Sequence, residues 1–507
     1  MKKLLTILSV LFILSRISFA QEIVHGHVSM LEDNKEIPLT GATVLWLGTQ
    51  KGTVTDANGH FEIESPGHDA HYLVVSFIGY EADTIHVHDH DSEIKVILGG
   101  SEHLEEVEVA HRKSGTHISR KEPILTEIVT GEELCKAACC NLSESFETNA
   151  SVDVSFADAA TGVKRIQMLG LNGLYVQTMT ENNPNFRGLA NNYGLEFIPG
   201  TWMSSIQVSK GAGSVINGYE SITGQINIEL KKPDVAENFI NLYTNSFLRM
   251  EGNGGIALQL NDSWSTMLMA HGSRMKYEWD ENKDNFLDDP LTSRYSVLNR
   301  WKYEQEHFNT QFGFTITGEE RTGGQLTHNP EQPRDMDNGF GINILTNRFD
   351  GFMKSGYIFK NNENASIALV ANYTRHEHDS YYGLREYNAL QDNLHTNLIF
   401  QSTMPNEHHS YSTGVSFNYN RLGEQYTDTS MTMLEEVPGI FGQYTYNLDD
   451  KFVLLAGIRA DHHSLYGLFF TPRVHLKYDA HDNFIIRASG GKGYRTPYAI
   501  ADNSYLL

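Results

Sequence analysis

Three cysteines, Cys135, Cys139 and Cys140, are the only thiols of this 507-residue chain, and they lie almost side by side. Cys135 and Cys139 at i and i+4 would share one face of a helix, and thiolates favour soft metals. Inert buried thiols are the alternative, and so few clustered cysteines make no disulfide framework. Nine of the 23 histidines gather as His86-x-His88-x-His90, His376-x-His378, His408–His409 and His462–His463. In a strand, residues two apart lie on one face, so His86, His88 and His90 could present three imidazoles to zinc, copper or nickel. Solvated loop histidines are the alternative. Asp280-x-Asn282-x-Asp284-x-Phe286-x-Asp288 reproduces the spacing of a calcium loop, with Phe286 offering its backbone carbonyl. Asn285 replaces the usual Gly and Leu291 stands where a bidentate Glu would be, so a weak Ca2+ site in an extracellular loop competes with an acidic loop that binds nothing. No H-E-x-x-H or similar set is present, and the expectation is a protein that is not an enzyme and requires no cofactor.

Composition narrows what can position these groups. The formal net charge is −24, without any basic block, which speaks against nucleic acid as a partner. The 43 glycines and 11% aromatic residues suit many strands and tight turns better than long helices. Residues 1–20 carry Lys2 and Lys3, an apolar run from Leu4 to Leu14, and Ser18–Phe19–Ala20, the layout of a cleavable secretory signal. The run is shorter than the roughly 20 residues that a membrane-spanning helix needs.

Residues 21–100 read as a small β-sandwich, with turn signals such as Asn58–Gly59 and Gly79. Residues 101–120 read as a charged linker and 121–233 as a small α+β domain. From residue 234 to 507 the chain alternates. Phe308, Thr310, Phe312, Phe314 and Ile316 interleave with Asn309, Gln311, Gly313, Thr315 and Thr317, and Tyr411, Thr413, Val415, Phe417 and Tyr419 follow the same period. One side of such strands faces lipid and the other faces a lumen; soluble sandwiches alternate as well.

The run Ile206–Gln207–Val208–Ser209–Lys210–Gly211, followed by Gly218 and then Ile222–Thr223–Gly224–Gln225–Ile226–Asn227–Ile228, resembles the end of the plug domain of TonB-dependent outer-membrane receptors. Gly26-x-Val28, Pro38 to Val44, Gly52 to Phe61 and Val75 to Tyr80 resemble the carboxypeptidase-regulatory-like module that precedes the plug in Bacteroidetes-type members. Gly491–Lys492–Gly493–Tyr494–Arg495–Thr496–Pro497 looks like a mid-barrel strand of the same receptors.

The resemblance implies a mainly β protein: an N-terminal β-sandwich, an α+β plug and an incomplete transmembrane antiparallel β-barrel. It implies a bacterial outer-membrane location with the N-terminal domains in the periplasm. The expected partners are a periplasmic TonB-type energy transducer, outer-membrane lipid, and a metal or metal-chelate ligand, either a copper-type metal or a siderophore. The Cys-containing stretch also resembles receptors of heavy-metal handling. A non-transporting truncated remnant or surface-binding protein, or an importer of cobalamin or glycan, is the alternative.

Within the linker, Leu104, Glu105, Glu106, Val107, Glu108 and Val109 resemble the box through which such receptors meet the transducer by strand addition; a plain acidic linker is the alternative. Asn182, Asn183, Asn185, Phe186 and Arg187, with Asn192 and Tyr193, are the candidates for the ligand-facing plug apex. Two positions depart from the family pattern. Leu169 stands where an Arg is usual and Gln207 where a Glu is usual, so the charged lock between plug and barrel wall is expected to be absent or rebuilt. A barrel of about 22 strands at ~10 residues each also needs more than residues 234–507 supply, so a partial barrel is expected.

Overall fold

The computed structural model describes residues 23–32, 35–47, 49, 51–65, 72–77, 83–87, 94–98, 115–120, 122–136, 141–146, 149, 151–156, 160–335, 337–481 and 484–506. The signal-like segment, the box Leu104–Val109, His88, His90, Cys139 and Cys140 lie outside them, as does the side chain of Cys135. The chain divides into two compact units, Met1–Arg112 and Lys113–Leu507.

In the first unit, Ile23–Glu32 is the central strand of one four-stranded sheet. It pairs antiparallel with Lys35–Pro38 and His60–Glu64, and parallel with Ile94–Leu98. Gly52–Val54, Thr43–Trp46, Tyr72–Ser76 and Asp83–His86 form the second sheet. Alternation does the sorting: Val24, Val28, Phe61, Ile63, Leu73, Val75 and Val96 turn into one shared core, and Trp46 crosses it to donate to the Glu64 carbonyl at 3.0 Å. This is a β-sandwich. Gly26 lies directly under the Phe61 ring, where a Cβ would collide with it.

The second unit begins with the plug. Its six-stranded sheet has the order Asn183–Pro184, Val176–Thr180, Gly224–Leu230, Met203–Lys210, Thr126–Thr130, Thr116–Ile118. The apolar positions Ile206, Val208, Ile226 and Ile228 of its middle strands are fully buried. A three-stranded sheet and the helices Gly131–Lys136, Leu142–Ser145 and Ala190–Phe197 complete the domain.

Thirteen strands follow, from Phe239–Thr244 to Phe484–Gly491, each paired antiparallel with its sequence neighbour. Their pattern is that of a soluble protein turned inside out. On Leu291–Glu304 the buried residues are Arg294, Ser296, Leu298, Arg300 and Lys302, while Tyr295 and Val297 are exposed. On the next strand Phe312, Phe314 and Ile316 are exposed and Thr317, Glu319 and Arg321 are buried. An apolar outer face around a polar interior is what a lipid-embedded barrel presents. The longer loops 276–290 and 325–340 lie at one end of the sheet, an end that also carries the tight turns 383–384 and 427–428.

Candidate functional site

The plug and the polar wall around it meet through residues that two tight turns and one helix hold in place. Met168 pairs with Leu171, so Leu169 and Gly170, both at positive φ, form a two-residue hairpin turn. Leu169 is therefore an exposed turn residue, and the position where relatives carry Arg takes no part in a lock. Gln207, at the other altered position, accepts a hydrogen bond from Asn227 Nδ2 within the plug sheet.

The second turn supplies what those positions lack. Thr180 pairs with Asn183, and the turn residues Glu181 and Asn182 also have positive φ. Asn182 N donates to Asn227 Oδ1 at 2.7 Å, which fixes the turn on the neighbouring strand. Glu181 is thereby held against the wall, where Arg300 Nη1 and Nη2 donate to its two oxygens at 2.7 and 3.2 Å and Lys354 Nζ lies 3.4 Å away. Burial pushes the Glu181 carboxyl up, but Arg300 and Lys354 outweigh it and hold it below the usual carboxylate range.

The helix Ala190–Phe197 places Glu196 between two more wall arginines. Arg294 and Arg321 each donate to Glu196 Oε2 at 2.7 Å, and Glu319 of the wall bonds both guanidiniums, so two carboxylates and two arginines balance in a buried quartet. Burial opposes the charge on Glu196; Arg321 and Arg294 prevail and hold its carboxyl at about 2. A third group behaves differently. Arg187 meets Glu220 at 2.9 Å and Glu435 at 3.8 Å, yet burial dominates at Glu220 and raises its carboxyl.

Side chains are only half of the contact. Among the described residues, seven wall arginines donate to plug backbone carbonyls: Arg294 to Glu196, Arg300 to Lys231, Arg321 to Thr161, Arg348 to Asn185, Arg459 to Val215, Arg473 to Gly213 and Ser214, and Arg487 to Ser119. Asn372 reaches the Pro184 carbonyl at 3.1 Å and Asn397 the Ile216 carbonyl at 2.9 Å. The lock is rebuilt, with most acceptors on the plug and most cations on the wall.

The plug-apex candidates lie along this seam. Asn183, Phe186, Asn192 and Tyr193 are buried, Asn185 and Arg187 half-buried, and Asn182 exposed. Asn185, Phe186, Arg348, Asp350 and Asn372 line one cleft between plug and wall. Asn192 donates to the Ala501 carbonyl, and Tyr193 packs beside His378 at 5.7 Å between ring centres. His376 and His378 lie buried on the inner wall.

The remaining candidates are separate. In the loop 276–290, Asp280 accepts from the backbone of Asp284 and Asn285, Asn282 from Asp284, Asp284 from Phe286, and Asp288 from Glu281. Lys283 and Asn285 both have positive φ, so the side-chain oxygens wrap their own turn. His86 packs edge-on against Tyr72 in the N-terminal sandwich. Among the described residues, the set of His, Cys, Asp and Glu whose ligand atoms come together is His25, His60 and Glu62, which no motif marks.

Comparison with known proteins agrees with this architecture. Residues 24–109 match the carboxypeptidase-regulatory-like domain, 119–225 the TonB-dependent receptor plug domain, and 257–506 the TonB-dependent receptor-like β-barrel. TonB-dependent receptor SusC of Bacteroides thetaiotaomicron is 27% identical over 337 residues, 62% of this chain and 32% of the relative. The ferric enterobactin receptor PfeA of Pseudomonas aeruginosa superposes with a TM-score of 0.60 at 13% identity, over 74% of this chain and 63% of that one. The siderophore receptor PirA of Acinetobacter baumannii gives 0.58 at 15%, over 73% and 61%. The chain thus spans about a third of the curated relative's length and under two thirds of each solved receptor's. With module, plug and barrel strands matched in that order, the chain belongs to the TonB-dependent receptors of the bacterial outer membrane, a family of transporters and not of enzymes.

Proposed function

We propose that the protein imports a scarce, negatively charged metal chelate of the siderophore type, with the plug loosened by a pull from a TonB-type transducer. The observation that carries this reading is the row of wall arginines bonded to plug carbonyls. Water can replace a carbonyl as the partner of a guanidinium, so this contact can open stepwise at far lower cost than an apolar seam of the same area. A freed guanidinium then offers a planar fork of donors that suits the oxygens of an anionic chelate.

The pull has a point of entry in the fold. Thr116–Ile118 is the edge strand of the plug and pairs with Thr126–Thr130 through only three residues. A tug on the segment containing Leu104–Val109 reaches this strand first, and then the Ser119 carbonyl held by Arg487 at 2.7 Å. Likeness to receptors described as binding enterobactin or siderophores supports the same class of cargo.

The test is uptake by metal-restricted cells whose other receptors are deleted, offered ferric catecholate, ferric hydroxamate, copper, cobalamin and an oligosaccharide in turn. Accumulation of a ferric chelate supports the reading. Accumulation of cobalamin or oligosaccharide alone removes it.

A further inference from the structure

The sandwich domain carries a patch of metal-binding side chains that the transport reading leaves unused. Strands Ile23–Glu32 and His60–Glu64 pair so that His25 stands opposite Glu62 and His27 opposite His60. Val24, Gly26, Val28, Phe61 and Ile63 turn inward, so all four of these side chains share the outer face. Ligand atoms of His25, His60 and Glu62 lie within 4.8 Å of one another. His25 Nδ1 and Glu62 Oε1 are 3.4 Å apart. That is long for a hydrogen bond, and it is about the separation of two ligand atoms on a tetrahedral ion with bonds of roughly 2.0–2.1 Å. The His25 and His60 rings stack at 6.1 Å with 26° between planes, so both stand off the sheet in the same direction.

We propose that His25, His60 and Glu62 bind one borderline divalent cation, of the zinc, copper or nickel type, on the outer face of the N-terminal sandwich, with His27 beside it. Two imidazoles and one carboxylate suit that class better than calcium or magnesium, which take oxygen ligands. The three side chains are partly exposed, which leaves an entry path and room for water to complete the coordination.

The surroundings suit a cation. Asp56, which accepts from the backbone of Asn58 and His60 at 2.8 and 2.9 Å, brings a second carboxylate to the same turn. Lys95, opposite His27 on the other neighbouring strand, is the nearby cation, and it is engaged by Glu36 at 2.6 Å. A bound ion would staple the central strand of the sheet to His60–Glu64. Nothing in this inference depends on which cargo the receptor carries.

The full chain, purified in detergent without a polyhistidine tag, is titrated with Zn(II) against a chromophoric chelator. Wild type should bind one more equivalent than His25→Gln/His60→Gln, and Glu62→Gln should weaken that equivalent by roughly tenfold or more. His86→Gln should change nothing. A second measurement guards against a variant that folds poorly: Co(II) added to His60→Cys in a chain whose Cys135, Cys139 and Cys140 are changed to Ser, with its melting curve recorded alongside, should give a thiolate-to-metal charge-transfer band that the same chain with His60 intact does not. Equal Zn(II) stoichiometry and affinity in wild type and the double variant, or no such band in folded His60→Cys, overturns the site.

Discussion

Glu181, on a positive-φ turn of the plug, and Arg300, on the inner wall, close a two-bond pair at 2.7 and 3.2 Å from which solvent is almost wholly excluded. Removing Glu181 strands Arg300 as a buried charge, a loss of about 3–5 kcal/mol, and removing Arg300 leaves Glu181 with Lys354 at 3.4 Å, whereas removing both together is far milder. Glu181→Gln and Arg300→Met should therefore each lower the melting temperature of the detergent-solubilised protein, and the double variant should recover most of the loss. Additive losses would show that the two residues do not act as a pair.

Acid should loosen the plug at the Glu196 quartet. The folded carboxyl is held at about 2 against an ordinary value of 4.5, so its ionised form stabilises the folded state above pH 4.5. That contribution is lost as the pH falls from 4.5 toward about 2. Thermal unfolding should be insensitive to this group between pH 7 and 5 and fall below pH 4.5. Glu196→Gln should be less stable at neutral pH and show a smaller drop on acidification.

Gly224, in the Ile222–Ile228 motif, is required by packing. A Cβ there would overlap both Met168 Sδ and the Ser209 carbonyl oxygen of the paired strand, and backbone cannot step aside. Gly224→Ala should cost about 1–3 kcal/mol of plug stability. Gly442, on the barrel, has nothing within 4 Å of a built Cβ, so Gly442→Ala should leave the melting curve unchanged.

The sequence discloses those parts of the molecule that are written in local pattern. Alternation marks the lipid-facing strands because Phe312, Phe314 and Ile316 repeat with the period of the pleat. The plug is recognisable from its glycine positions because Gly224 has no tolerable substitute. The lock was not legible for a physical reason: its acceptors are mostly backbone carbonyls, such as those of Gly213, Ser214 and Val215, which every residue type possesses. The signal that could have located Glu181 is its place in a two-residue hairpin turn, beside Asn182, where positive φ is tolerated. His25, His60 and Glu62 share no short spacing in the chain, because only the pairing of two strands brings them together. The calcium-like spacing of Asp280 to Asp288 equally describes a turn capped by its own side chains.

Energised import through a plug released by traction on its N-terminal segment is the mechanism proposed for this receptor. The most direct measurement compares accumulation and surface binding of a radiolabelled ferric chelate in cells expressing the receptor with and without residues 104–109. Deletion should abolish accumulation and leave binding intact. Undiminished accumulation by the deletion variant would contradict that mechanism.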